Sequence, residues 1–162
     1  MTMTTRLWRN LTAAAFVAGT TILAASAASA ASANGCPADQ MGPNALGNAP
    51  TKPVGVTDTV LESIDLAKQM VKLDDHRLRI RRLEIQPGGI VPLHDHADRP
   101  ALIYIVSGEI TEYASNCKTG IVHKAGETSR DADLKHWWKN TGKKPVVLIS
   151  ADLLHDPMDM NM

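Results

Sequence analysis

The sequence predicts an all-β fold, either a sandwich or a barrel, built from short strands in one domain. Its apolar residues form short blocks in which they alternate or run together, and 101–112 is the strongest of these blocks. Turn-forming runs such as Asn140-Thr141-Gly142 separate the later blocks. Short strands divided by turns at this spacing are typical of β-sandwiches and barrels.

Residues 1–30 are predicted to be a secretory signal peptide. Arg6 and Arg9 precede the apolar run 11–25, and small alanine and serine residues follow it. The run is shorter than the roughly 20 residues of a membrane-spanning helix, and cleavage after residue 30, or as late as residue 33, suits its small residues. We therefore expect an exported protein, periplasmic or secreted, without a membrane partner once the signal peptide is removed.

Length and charge limit the remaining chain to one domain without a strongly charged surface. Cleavage after residue 30 leaves 162 minus 30, or 132 residues, which suffices for a single core. The 17 basic and 17 acidic residues balance, and loss of two arginines with the signal peptide makes the formal charge about −2. This balance provides no basic surface, so nucleic acid is not a predicted partner.

The chain contains two cysteines, Cys36 and Cys117. In an oxidising compartment two thiols usually pair, so we predict a disulfide between them. It would close a loop of 117 minus 36, or 81 residues, and join an irregular N-terminal segment to the body. The alternative is two unrelated thiols, one of which could bind a metal.

Three segments follow the predicted signal peptide. Residues 34–55 contain four glycines and four prolines without apolar periodicity, so we predict an extended N-terminal arm. Residues 56–154 hold the predicted barrel, and 155–162 form a predicted flexible tail. Within 56–71 the apolar spacing suits a helix or a strand, and we favour a strand through Asp65.

The apolar patterns after this point give three more detailed expectations. The apolar residues of 78–85 change parity at Arg81-Arg82, which predicts a β-bulge, and Pro87-Gly88-Gly89 predicts a turn that ends the strand. The alternating arginines of 77–82 predict a solvated strand face. Consecutive apolar residues at 102–106 predict a strand buried on both faces.

Three histidines form the predicted metal site. Alternate side chains of a strand share a face, so His94 and His96 lie about 7 Å apart along the strand and can converge on one cation. A third ligand must come from elsewhere, and His136 is the best candidate. For His94 and His96 alone, the alternative is two polar residues on a half-exposed strand.

The glycines and histidines of this region resemble the two motifs of the cupin superfamily. The first motif is matched by Gly88, by His94-x-His96 after five intervening residues, and by Gly108. The second motif ends in a histidine and, three residues later, an asparagine, and the run His136–Asn140 matches this ending. The resemblance covers roughly residues 75–152. It implies a jelly-roll β-barrel, also called a double-stranded β-helix, with the metal inside and often a homodimer.

The chain departs from the first motif at its usual glutamate ligand. That position falls at Pro100 or Ala101, and counting back from Gly108 favours Ala101. Three neutral imidazoles would leave a divalent ion its full positive charge and make it a strong Lewis acid. The cofactor is therefore one divalent ion of Fe, Mn, Zn, Ni or Cu, all of which accept imidazole, and Asp98 is a candidate fourth ligand.

Strand parity predicts a small-molecule pocket beside the metal. Trp138 and Asn140 share the parity of His136, and Ile103 shares that of Ala101. The resemblance then implies a metal-dependent oxidoreductase, isomerase or lyase acting on a small oxygen-bearing molecule. The alternative is a non-catalytic extracytoplasmic protein that binds a metal or small ligand. A further polar side chain within reach of the open metal position would favour the enzyme.

Overall fold

The computed structural model of the chain describes residues 34–44 and 46–155, so the predicted signal peptide and nearly all of the predicted tail lie outside the described residues. Short 3-10 turns occupy Ala38–Gln40 and Leu66–Lys68. No helix within the described ranges has the length and apolar character to cross a membrane. In chain order the strands are Val54–Asp65 (β1), Arg77–Asp95 (β2), Ala101–Ser107 (β3), Glu109–Ala114 (β4), Ile121–Lys124 (β5), Thr128–Asp131 (β6), Lys135–Lys139 (β7) and Val146–Leu154 (β8).

The strands form one antiparallel sheet that curves into a nearly closed barrel, so the all-β prediction is confirmed. The order of hydrogen-bonded neighbours is β5-β4-β7-β2-β8-β3-β6, and β1 pairs with β2 outside this path. Alternate side chains of these strands point into the barrel. They build its apolar core from Leu83, Ile85, Val91, Ala101, Ile103, Ile105, Ile110, Trp138, Val146 and Leu148.

Strand β2 is long enough to pair with different strands at its two ends. Its first part pairs with β8 over Arg77–Ile85, and its second part pairs with β7 from Ile90 onward. Between them, Gly88 has a φ of +76°, a value that favours glycine. The predicted turn at Pro87-Gly88-Gly89 is therefore wrong as a strand end, because the chain bends there and continues. This bend carries the second part of β2 across the barrel to β7.

The first part of β2 points different residues into the barrel than the sequence pattern predicted. Arginines, and not the apolar residues beside them, point inward there. Arg79 and Arg81 are buried, while Leu78 and Ile80 are exposed by 42% and 38%. The predicted bulge at Arg81-Arg82 is wrong for β2, which pairs with β8 without a shift there. The irregularity lies in the facing strand β1, where Leu61 is the extra residue. The expectation of a solvated arginine face is wrong for the same two arginines.

The buried arginines are stabilised by carboxylates on neighbouring strands. Arg79 donates two hydrogen bonds to Asp152 of β8, at 3.0 and 2.7 Å. Arg81 donates to the same carboxylate at 3.2 Å and also to Asp58 of β1. Buried charges are tolerated when they are paired and hydrogen-bonded in this way. One part of the barrel interior is therefore ionic.

Strand β3 has one buried face and one exposed face. Ile103 and Ile105 point into the core, whereas Leu102, Tyr104 and Val106 are exposed by 62%, 48% and 47%. The expectation of burial on both faces is wrong, because apolar residues also cover the outer surface of this strand.

The predicted disulfide joins Cys36 to Cys117. It connects the segment before β1 to the β4–β5 connection, where both cysteines are fully buried with Ala114 and Ile121. The segment is also held by a hydrogen bond of 3.0 Å from Asn44 Nδ2 to the Cys117 carbonyl. This cluster anchors the chain before β1 to the barrel.

Replacing both cysteines by alanine should destabilise the protein. The 81-residue separation corresponds, in the chain-entropy account, to about 4.5 kcal/mol in the free energy of unfolding. Urea denaturation of the Cys36→Ala/Cys117→Ala variant beside wild type measures this loss. Wild type treated with a reductant serves as the control and should show a similar loss. An unchanged unfolding midpoint in both would contradict a structural role for the disulfide.

Candidate metal centre

The rings of His94, His96 and His136 meet inside the barrel. His94 lies directly opposite His136 in the pairing of β2 with β7, and His96 lies just beyond Asp95, the last residue of β2. The three ring centroids are 4.5 to 4.8 Å apart, and one ligand nitrogen of each ring lies within 4.8 Å of the others. The structure thus brings together the histidines that the spacing selected from two separate parts of the chain.

Hydrogen bonds at Nδ1 orient all three rings. His94 Nδ1 lies 2.8 Å from the Pro92 carbonyl, and His136 Nδ1 lies 2.7 Å from Glu112 Oε1. His96 Nδ1 contacts the carbonyl of Arg99. Carbonyl and carboxylate oxygens only accept, so each Nδ1 carries the proton and each Nε2 presents a lone pair. This arrangement is the usual one for histidines that bind a metal through Nε2.

The Nε2 atoms meet few donors within the protein: His136 Nε2 accepts one long hydrogen bond, of 3.4 Å, from Trp138 Nε1. Those of His94 and His136 are 3.0 Å apart, although both present lone pairs. That of His96 is buried and without a hydrogen-bond partner. Two ligand atoms, each about 2.1 Å from one ion, are about 3.0 Å apart when they subtend 90°. A metal ion therefore fits the spacing of the His94 and His136 nitrogens, and it would also give the buried His96 Nε2 a partner.

Burial keeps His94 and His96 in the neutral form that binds metals. Loss of contact with water lowers the pKa of His94 well below its ordinary value, and the neighbouring His136 and His96 lower it further. Burial, followed by the charge of His136, lowers the pKa of His96 to about 4. Neither ring needs to lose a proton at neutral pH before it binds a cation.

Glu112 links His136 to a fourth histidine. Its Oε1 accepts from His136, and its Oε2 lies 2.9 Å from His123 Nε2. Burial by itself would raise the pKa of Glu112, but the hydrogen bonds from His123 and His136 lower it below its ordinary value. The ionised carboxylate thus fixes the ring of His136. The sequence analysis missed Glu112, although a carboxylate between Ile110 and Ala114, on their inward parity, could have indicated it.

Asp131 is a second buried carboxylate that the sequence analysis missed. Its Oδ1 accepts a hydrogen bond of 2.6 Å from the Ser129 hydroxyl, while its Oδ2 is buried without a hydrogen-bond partner. Oδ2 lies 3.9 Å from His136 Nε2. Burial raises the pKa of Asp131 to about 6. The alternation of Ser129 and Asp131 in a short polar strand carried no apolar pattern that could place them inside.

A small cavity adjoins the three histidines. Its volume is about 30 Å³, which is room for about two water-sized groups. It is lined by Arg81, Leu83, Val91, His94, His96, Ile103, Asp131, His136, Trp138, Leu148 and Ser150. The proposed pocket residues Ile103 and Trp138 are in this lining, and Trp138 Nε1 lies 3.4 Å from His136 Nε2.

Three other residues considered for the site lie elsewhere. Ala101 is buried but does not line the cavity. The Asn140 amide donates to the carbonyls of Ile85 and Lys144, at 3.0 and 2.8 Å, and so braces the bend of β2. Asp98 is exposed on the turn after β2 and belongs to neither metal-compatible group among the described residues. A pocket role for Ala101 and Asn140 and a ligand role for Asp98 stay predictions.

Comparison with known proteins identifies the barrel. Residues 81–152 match the family model of the cupin domain. No curated protein matches the sequence.

Several solved structures are similar to the chain in fold. They include the cupin domain of Cnp3 from Schizosaccharomyces pombe, with 15% identity, 67% of this chain and 72% of that chain covered, and a TM-score of 0.48. They also include an oxalate oxidase in complex with glycolate, with 23% identity, 65% of this chain and 54% of that chain covered, and a TM-score of 0.49. A protein with a double-stranded β-helix domain from Klebsiella pneumoniae has 18% identity, with 74% of this chain and 86% of that chain covered, and a TM-score of 0.49. These low values carry no information on the chemistry of this chain.

The metal-free protein should lose stability as the pH falls from about 6.5 to about 4. Buried His96 stays neutral in the folded state down to a pKa of about 4, whereas the unfolded chain binds the proton near 6.5. The unfolded state then binds more protons, so this shift removes up to about 3 kcal/mol across the window. The measurement is urea unfolding at several pH values with a chelator present.

His96→Asn keeps a donor toward the Arg99 carbonyl but does not titrate, so its stability should depend less on pH than that of wild type. The raised pKa of Asp131 acts in the opposite direction, with stability lost as the pH rises toward 6, and is common to both proteins. Identical pH profiles for the two proteins would show that His96 titrates normally.

Proposed function

Through residues 81–152 this chain belongs to the cupin superfamily, and we propose on that premise that it binds one divalent metal ion through His94, His96 and His136. The observation that carries the proposal is the convergence of three Nε2 lone pairs whose Nδ1 atoms are already hydrogen-bonded. Imidazole nitrogens suit Fe, Mn, Zn, Ni and Cu. When bound, such an ion supplies Lewis-acid chemistry inside the barrel.

We further propose that the protein is an enzyme acting on a small oxygen-bearing molecule, as an oxidoreductase, isomerase or lyase. Arg81, Asp131 and Ser150 are polar residues that line the cavity besides the histidines, and this supports catalysis over storage. Asp131 offers a carboxylate oxygen with no partner, suited to accept a proton. Arg81 offers a fixed positive charge, and its Nε is buried without a hydrogen-bond partner. The Arg81 Nε–H could donate to an anionic group of a substrate, while Asp131 could accept a proton from it.

One observation favours a non-catalytic metal- or ligand-binding protein as the second candidate. The cavity of about 30 Å³ leaves little room beyond an ion and a few atoms of a ligand. NMR spectra of the metal-loaded protein with small hydroxy and keto acids distinguish the two candidates. Product resonances support the enzyme. Binding without turnover across such acids supports the second candidate.

We propose that the protein works outside the cytoplasm. The buried disulfide supports this, because such bonds persist mainly in oxidising compartments. The predicted signal peptide, which lies outside the described residues, is a second argument. Cell fractionation with an antibody tests the proposal, and recovery of the full-length chain in the cytoplasmic fraction alone would refute it.

Elemental analysis should find about one metal ion per chain in the protein purified from its native compartment. His94→Ala and His136→Ala each remove one of the three ligands, so each should abolish stoichiometric metal. His155→Ala is the matched control, since His155 is exposed and outside the cluster. The central proposal fails if wild type holds no metal even after incubation with Fe(II), Mn(II), Zn(II) and Cu(II).

Glu112→Gln should weaken metal binding without abolishing it. Glutamine preserves the shape of the side chain. Its amide has one oxygen that accepts and one NH2 group that donates, so it cannot accept hydrogen bonds from both His136 and His123 as the carboxylate does. Loss of such a support typically lowers metal affinity about 10- to 100-fold. Competition with a chromophoric chelator measures the change. Glu109→Gln, an exposed site in the same strand, should bind like wild type, and equal affinity for both variants would argue against a supporting role for Glu112.

A further inference from the structure

We propose that residues 34–36, held in place by the Cys36–Cys117 disulfide, cover His123 and thereby control how tightly the barrel binds its metal ion. We call these three residues the cover segment. Their role rests on the proposed three-histidine site and extends it to a part of the chain outside the barrel. His123 is a positioning residue, because it acts on the site through other side chains and belongs to neither metal-compatible group of the described residues.

His123 contacts two side chains that support the candidate ligand His136. Its Nε2 donates to Glu112 Oε2 at 2.9 Å, and the other oxygen of that carboxylate accepts from His136. The ring of His123 also lies against that of Trp138, with centroids 4.8 Å apart. Trp138 Nε1 in turn lies 3.4 Å from His136 Nε2. A displacement of His123 would therefore reach both ring nitrogens of His136.

The cover segment lies directly against His123. Gly35 has a φ of +85°, and a Cβ placed on it would lie 3.5 Å from His123 Cε1 and 3.3 Å from Ile121 Cγ2. Glycine allows both this backbone conformation and so close an approach. His123 is only 2% exposed, although its strand β5 pairs with β4 alone in the described part of the chain. The cover segment therefore helps to keep water away from the hydrogen bond between His123 and the buried carboxylate.

A disulfide and a side-chain hydrogen bond attach the cover segment. The disulfide is fully buried, and Asn34 Nδ2 donates to Asn116 Oδ1 at 3.2 Å. The chain from 40 to 44 is attached separately, by backbone hydrogen bonds of 2.8 to 3.0 Å to residues 115–118. The predicted signal-peptide cleavage would place the cover segment at the start of the mature chain, where ends fray unless they are tied down. Loss of the disulfide should therefore loosen the cover segment before it loosens residues 40–44.

Water at His123 would weaken the support of His136. A hydrogen bond to a buried carboxylate is strong because its surroundings have a low dielectric constant, and water would raise that constant and compete for the oxygens. Hydrogen-bond partners of metal-binding histidines typically contribute about 10- to 100-fold to metal affinity. The cover segment acts one contact further out, so we expect its displacement to lower metal affinity by about three- to tenfold.

Gly35→Val tests the proposal while the disulfide stays intact. The new side chain meets His123 and Ile121, so it should push the cover segment away from them. Competition with a chromophoric chelator for Zn(II) should then show an affinity about three- to tenfold lower than that of wild type. In NMR spectra of the metal-free protein, the imidazole N–H proton of His123 should exchange faster with water. Circular dichroism establishes that each variant compared is folded.

Gly126→Val is the matched control. Gly126 has a similar φ of +89°, so valine causes a similar backbone strain there, but a Cβ on this exposed residue meets no atom within 4 Å. Its Zn(II) affinity and its His123 exchange rate should equal those of wild type. Cys36→Ala/Cys117→Ala reaches the cover segment by another route, without added bulk, and should change both measurements in the same direction as Gly35→Val.

Two substitutions of His123 separate positioning from simple packing. His123→Gln keeps a donor toward Glu112, whereas His123→Leu removes it, so the glutamine variant should bind Zn(II) more tightly than the leucine variant. Equal losses in the two would overturn the positioning role. Wild-type affinity in folded Gly35→Val, or lower affinity with an unchanged exchange rate, would overturn the role of the cover segment. Failure of wild type itself to bind metal would instead refute the proposed function, while the exchange rates of the metal-free proteins would still test the cover.

Discussion

Glu112 places a carboxylate inside the barrel, where a charged group is stable only when its oxygens are hydrogen-bonded and its charge is offset. His136 and His123 hydrogen-bond to both of its oxygens from two strands that flank β4, since β4 pairs with both β5 and β7. The same contact fixes the tautomer and direction of His136. Its Nε2 then points toward His94, so the orientation of the candidate metal centre depends on this buried carboxylate.

The shape of the barrel brings the other ligands to this point. β2 bends at Gly88 and changes its partner from β8 to β7, and this places His94 opposite His136. Asn140 braces the bend through its side-chain amide. The apolar core fills much of the interior, while the histidines, carboxylates and arginines occupy the rest. The small cavity beside the histidines suits an ion and a few ligand atoms more than a large substrate.

Local pattern was enough to predict much of this arrangement. The alternation and turn residues predicted a barrel of strands, and the spacing of His94, His96 and His136 selected three residues that do meet in space. Pairing of Cys36 with Cys117 followed from their number and the expected compartment. The strand-rich class is confirmed because alternation and turn residues are short-range properties that one sequence displays directly.

The sequence by itself determined the strand-rich class, the histidine set and the disulfide partners; only the tertiary structure decided which other polar side chains face inward. Parity arguments assume that the inward face is apolar, so they turned Arg81 outward and overlooked Glu112 and Asp131. Arg81 and Glu112 are buried with partners on other strands, and Asp131 is held by the Ser129 hydroxyl of its own strand. Such partners are set by long-range strand pairing, which local hydrophobicity does not encode.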